Sequence, residues 1–238
     1  MAHAAPDRTD HRPWPLPSKP WRWTQTWSHL LFAHWRVPAD KLRPYIPDGL
    51  TLQEFDGSAW VGVVPFVLDI RPRFVPPLPW ISHFPEINVR TYVEAEGKPG
   101  VWFFSLDALN PLAVWAARRF FHLPYHRADM QAGLEGDTVS YETTRRNAPI
   151  EAACRANYRP TSDVYLAEPG TLDHWLTERY CLYSANDAGV LFRVDVHHEP
   201  WPLQHAEADI HKNTMLEPFG LTVPDEPPTL HFARKLEV

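Results

Sequence analysis

Proline is the residue that most restricts this chain. It occurs 26 times in 238 residues and recurs at the edges of segments, at Pro38, Pro47, Pro65, Pro85, Pro124, Pro160, Pro200, Pro202 and Pro224 among others. A prolyl nitrogen donates no hydrogen bond, and its ring collides with the preceding helical turn. Long uninterrupted helices are therefore few. Prolines between short apolar runs instead suit a fold of strands joined by turns. The spacing predicts strands over residues 27–36, 50–55, 59–70, 84–93, 101–108 and 189–198, with two or three more between Met130 and Leu166. Asp56-Gly57, Gly133 and Glu135-Gly136-Asp137 supply turn signals, and 96–100 reads as a turn. Three short helices are expected. One spans 38–45. A second spans 110–122, with Asn110 as cap and Pro111 in the first turn. The third spans 171–180.

Residues 1–20 carry several prolines and no periodicity and read as a flexible arm, leaving 21–238 as a single domain. Hydrophobic residues make up 44% of the chain, enough for a sizeable core. A net charge of −6 argues against nucleic acid or anionic lipid as the main partner, because both select a concentrated basic surface. No apolar run approaches the ~18 residues of a membrane-spanning helix. Cys154 and Cys181 alone make no disulfide framework. The expectation is a cytoplasmic protein with reduced thiols and no membrane partner.

Chemistry concentrates in residues 84–93. Glu86, Asn88, Arg90 and Tyr92 alternate with Ile87, Val89, Thr91 and Val93. On a strand the first set shares one face and the aliphatic set the other. Two readings of the polar face stand: a solvated face or a structural Glu–Arg pair on the one hand, and a cluster facing the lumen of a barrel on the other. In the second, Arg90 would hold a carboxylate or phosphate in a bidentate bond. Glu86 would be an acid or base if burial raised its pKa.

Asp107, on the next strand, either pairs with Arg90, sits at the barrel mouth, or serves as a turn residue ahead of Asn110. Arg118 and Arg119 end the second helix, where cations are favoured, and that helix leads into Tyr125-His126. Arg118, Tyr125 and His126 are thus further candidates, Tyr125 as a hydrogen-bond donor and His126 as a proton carrier. No His-x-x-x-His falls on an expected helix, and no glycine-rich phosphate loop or Gly-x-Ser-x-Gly elbow occurs. No metal or cofactor is expected. The apolar loop 74–83 reads equally as a lid or as a contact for another subunit or partner.

Five segments together carry a family resemblance: Trp35-Arg-Val-Pro-Ala-Asp-Lys-Leu-Arg-Pro-Tyr-Ile-Pro-Asp-Gly-Leu50, Phe84-Pro-Glu-Ile-Asn-Val-Arg-Thr-Tyr92, Gly100-Val-Trp-Phe-Phe-Ser-Leu-Asp107, Ala117-Arg-Arg-Phe-Phe-His-Leu-Pro-Tyr125 and the tail from Trp201-Pro-Leu-Gln204 to Leu230-His-Phe-Ala233. They resemble the YqjF-like domain-of-unknown-function family over about residues 21–236. That family is similar in fold to acetoacetate decarboxylase. The resemblance implies a mainly β protein, a closed antiparallel barrel or cone with short helices packed outside. It also implies that Glu86 matches a pocket glutamate of the decarboxylases. Their Schiff-base lysine lies in a Pro-Lys-Lys loop that here reads Pro124-Tyr125-His126, and Lys19, Lys41, Lys98, Lys212 and Lys235 all fall elsewhere. Schiff-base chemistry is therefore not expected.

The expected function is binding of a small organic acid or oxygenated metabolite. The alternatives are an enzyme that moves protons on a carbonyl substrate through Glu86 or His126, and an interaction module using the 74–83 loop. Self-association stays open.

Overall fold

A computed structural model describes residues 8–74 and 82–238. The strands are β1 (Trp23–Val37), β2 (Thr51–Leu52), β3 (Ala59–Pro72), β4 (His83–Ala95), β5 (Lys98–Ala108), β6 (Tyr125–Glu135), β7 (Thr138–Arg145), β8 (Ala153–Pro160), β9 (Cys181–Ala185), β10 (Leu191–Asp195), β11 (Leu203–Asn213) and β12 (Thr229–Glu237). The helices are α1 (Ala39–Leu42), α2 (Pro111–Phe121) and α3 (Leu172–Thr177). All twelve strands join one sheet in the order β10-β9-β5-β6-β7-β8-β11-β12-β1-β3-β4-β2, and β4 also pairs with β5. The run from β5 round to β4 therefore closes into a ring.

The sheet is mostly antiparallel, with two exceptions. β5 pairs in parallel with β6 and with β9. A parallel pair needs a crossover, and α2 supplies the one between β5 and β6. Asn110 caps that helix as expected: its side chain accepts from Leu112 N at 2.9 Å and Ala113 N at 3.2 Å. Asp56 and Gly57 have positive φ, as do Glu96 and Gly97, which suits tight hairpins.

Several local expectations change. Gly133 is not a turn but lies inside β6, paired with Ser140, while the expected turn at Glu135-Gly136-Asp137 is where the hairpin bends. Residues 50–55 give only the two-residue β2, and β9 appears where no strand was expected. From the expected arm, His11 and Arg12 are fastened to the body. His11 Nε2 lies 2.8 Å from His198 O, and Arg12 Nη1 donates to Val196 O at 2.7 Å. Residues 75–81 of the apolar loop lie outside the described residues.

Two cores result. Side chains from strands around the ring meet in one cluster that includes Leu31, Ala33, Val61, Val63, Ile87, Val89, Phe104, Met130, Tyr141, Ala156, Tyr158 and Phe232. The opposite side of β7 alternates to solvent, so this cluster fills the inside of the ring. β1, β3 and β4 are buried on both sides. Their outer side packs Leu30, Phe32, Val64, Phe66 and Phe84 under Val114 of α2 and Trp201. Each large aliphatic or aromatic side chain fully buried this way contributes about 1.5–3 kcal/mol.

Candidate functional site

Strand register decides where the polar residues of β4 point. Ile87 pairs with Pro65 and Val89 with Val63, on the inner side of the ring. Glu86, Asn88 and Arg90 pair with Phe66, Val64 and Gly62, on the outer side. The four polar side chains thus point away from the interior, and Arg90 and Tyr92 enter a buried seam between the sheet and α3. The lumen-facing reading does not describe them, nor does the solvated one. The aliphatic residues take the ring interior because desolvating Ile and Val is favourable and desolvating Glu and Arg is not.

Within the seam Tyr92 is the hub. Its hydroxyl donates to Leu176 O of α3 at 2.8 Å, and His34 Nε2 lies 2.6 Å from the same hydroxyl. Arg90 Nη2 reaches Tyr92 Oη and Leu176 O, each at 3.5 Å. The Arg90 guanidinium lies 5.1 Å from the Phe32 ring centre. Arg90 is only 9% exposed, and it has no ion-pair partner among the described residues. Its Nε has no acceptor, and neither Asn88 Oδ1 nor His34 Nδ1 has a partner. Gly62 makes the room: a Cβ there would stand 2.8 Å from two atoms of the His34 ring.

Glu86 lies farther along the same face and is 3% exposed. Tyr125, at the start of β6, donates its hydroxyl to Glu86 Oε2 at 2.8 Å. Burial raises the Glu86 pKa from 4.5 to about 8. The Tyr125 hydrogen bond partly offsets this, and the Asp107 charge adds to it. Tyr125 is itself pushed well above its usual 10, first by burial and then by Glu86. At neutral pH the pair is therefore a carboxylic acid and a phenol, both protonated. Tyr125 occupies a position that the resemblance gives to the decarboxylases' lysines, and none of the five lysines of this chain is buried.

The remaining candidates fall elsewhere. Asp107 pairs with Ile87, so it faces the ring interior, opposite to Arg90. It is fully buried and bound by Arg145 in a fork: Nε to Oδ2 at 2.9 Å and Nη2 to Oδ1 at 2.8 Å. Burial moves the Asp107 pKa upward, against the pull of Arg145. Asp107 is thus neither a partner of Arg90 nor a turn residue ahead of Asn110. His126 pairs with Asp107. Burial and the charges of Arg145 and Arg118 lower its pKa to about 4. His126 therefore keeps a neutral ring at pH 7 and does not change charge there. Arg118 is exposed on the last turn of α2 and acts on His126 through its field.

Sequence reasoning missed His34, Arg145, Arg179 and the Asp173–His231 pair, in which Nε2 lies 2.9 Å from Oδ1. For His34 a signal existed: small Gly62 on the facing strand. Arg179 lies far from β4 in sequence and meets Tyr92 only through the fold, as His231 meets Asp173. Two open depressions in the surface lie elsewhere. One, of about 530 Å³, is lined by Gln131, Ser140, Glu142, Arg155, Asn157 and His211, and the other by Arg159, Asp163, Gln204 and Arg234. Cys154 and Cys181 are buried free thiols, which burial pushes up to about 12 and about 11.

Comparison with known proteins sets this geometry in a family. The DUF2071 model, described as an uncharacterized conserved protein, matches residues 24–237. The uncharacterized protein YqjF of Bacillus subtilis (strain 168) is 47% identical over 224 residues, covering 94% of this chain and 92% of that one. Among solved structures, acetoacetate decarboxylase from Legionella pneumophila is similar with a TM-score of 0.58 at 14% identity, over 99% of this chain and 96% of that one. The enduracididine biosynthesis enzyme MppR complexed with pyruvate gives 0.60 at 13% identity, over 92% and 88%. An acetoacetate decarboxylase-like enzyme from Sphingomonas wittichii RW1 gives 0.58 at 12%, over 96% and 95%. The chain belongs to the DUF2071 family and has an acetoacetate decarboxylase-like fold.

Proposed function

We propose that this member of the DUF2071 family binds a small organic acid in the seam between β4 and α3. Arg90 is the anion anchor, and Asn88 and Tyr92 orient the ligand. One observation carries the reading: a guanidinium nine-tenths buried, with its Nε unpartnered and no carboxylate paired with it among the described residues. Burying an uncompensated charge costs several kcal/mol, and a bound carboxylate offsets that cost. The acceptor now at Arg90 and Tyr92 is the Leu176 carbonyl, so the ligand takes over a seat already shaped for an oxygen. A fold relative complexed with pyruvate supports a small-acid ligand.

A second reading rests on Glu86. A carboxyl that stays protonated up to about pH 8 is poised as a general acid toward a carbonyl substrate, with Tyr125 beside it as a second donor. This gives proton transfer without a Schiff base.

The test is a thermal-shift series against small carboxylic and keto acids. A ligand at about a hundred times its Kd adds about 2.7 kcal/mol of stability. The expected result is a dose-dependent rise in Tm that is lost in Arg90→Ala. No rise at millimolar acid, or the same rise in the variant, would overturn the anchor. For the second reading, Glu86→Gln should bind like wild type and lose turnover, and undiminished turnover would rule it out.

A further inference from the structure

We infer that the anion seat is divalent: it takes a short dicarboxylate, with one carboxylate on Arg90 and the other on Arg179. This inference rests on the anion reading above and adds the charge of the ligand. Arg179 follows α3 and is 8% exposed. Its Nε donates to Trp175 O at 2.8 Å, its Nη1 donates to Gln53 Oε1, and its Nη2 has no partner. Both acceptors are neutral. Glu94 makes no direct bond to it: its charge acts on Arg179 from a distance, while Gln53 Nε2 donates to Glu94 Oε2 at 2.8 Å.

The two arginines share one aromatic ring. The Arg179 guanidinium carbon lies 4.8 Å from the Tyr92 centroid and that of Arg90 lies 5.8 Å from it. Two like charges this close repel, and the neutral rings of Phe32, Tyr92 and Trp175 leave their net charge in place. Glu86, protonated at neutral pH, adds no negative charge. A monocarboxylate would neutralise one guanidinium and leave the other buried without a carboxylate bonded to it. A ligand with two carboxylates answers both, each through a charge-assisted hydrogen bond.

The experiment compares butyrate with succinate, which share a four-carbon chain and differ in one carboxylate. Binding to the full chain is measured by calorimetry at fixed ionic strength, with sulfate as a bare dianion. Succinate is expected to bind about ten-fold or more tightly than butyrate, in line with the strength of one charge-assisted bond. Arg179→Gln should bring that ratio close to one, and an unchanged ratio in a folded variant overturns the role of Arg179. Should the variant not fold, the wild-type ratio alone decides. Equal binding of butyrate and succinate overturns the divalent seat and leaves the anion reading standing. Sulfate binding as tightly as succinate overturns the dicarboxylate assignment. Binding of none of the three overturns the anion reading itself.

Discussion

Tyr125 donates its hydroxyl to Glu86 Oε2 across 2.8 Å, joining the start of β6 to the outer side of β4. The carboxyl it meets is buried and titrates near 8 rather than 4.5. The folded protein thus holds a proton that the unfolded chain has released. Glu86 contributes most favourably below about pH 4.5, and that contribution is lost as pH rises toward 8. Glu86→Gln should flatten the fall in stability over this window by an amount on the order of 3–5 kcal/mol. Urea unfolding at pH 5 and pH 8 measures it. An unchanged slope in the variant would place the carboxyl in water.

Gly62 leaves no space for a side chain. Its missing methyl would lie 2.8 Å from Cδ2 and Nε2 of His34, the ring that contacts the Tyr92 hydroxyl. Gly62→Ala should displace His34 and cost about 1–3 kcal/mol through overpacking. The fall in the urea midpoint reads this directly. If the substitution is neutral, His34 has another seat available.

Inside the ring, Asp107 and Arg145 form a buried pair two hydrogen bonds strong. Arg145→Met alone strands a carboxylate and should cost about 3–5 kcal/mol. Asp107→Leu combined with Arg145→Met should recover most of that loss, because two apolar groups need no partner. A double-mutant cycle separates these cases. If the losses simply add, the pair is not coupled.

Much of the fold could be read from local signals. The alternation in residues 86–93 defines β4, and Asn110-Pro111 opens α2. Asp56-Gly57 and Glu96-Gly97 turn where their residue types predict. Alternation names two faces, however, and does not say which is inside. β4 is covered on both sides, so its polar face could be assigned only once α3 and Leu176 were in place. Gly133 misled for a related reason. It looks like a turn residue, but the Ser140 Oγ would stand 2.7 Å from any Cβ there, so glycine serves close strand packing instead. The Glu86–Tyr125 contact was within reach, because the resemblance assigns both to a pocket. Arg179 and Arg145 were not, since long-range pairing alone brings them to β4 and β5.

β5 holds three registers at once. One edge runs antiparallel along β4, while the other is shared between β9 at Val101–Trp102 and β6 at Leu106–Ala108. A single inserted or deleted residue in a strand turns every later side chain to the opposite face. In β5 that error would propagate into three neighbours together, carrying Asp107 out of the ring and detaching Leu106 from Tyr125. Length variation among relatives should therefore gather at tips such as Glu96-Gly97 and Gly136, where one more residue only lengthens a turn. β5 itself is left to diverge by substitution alone.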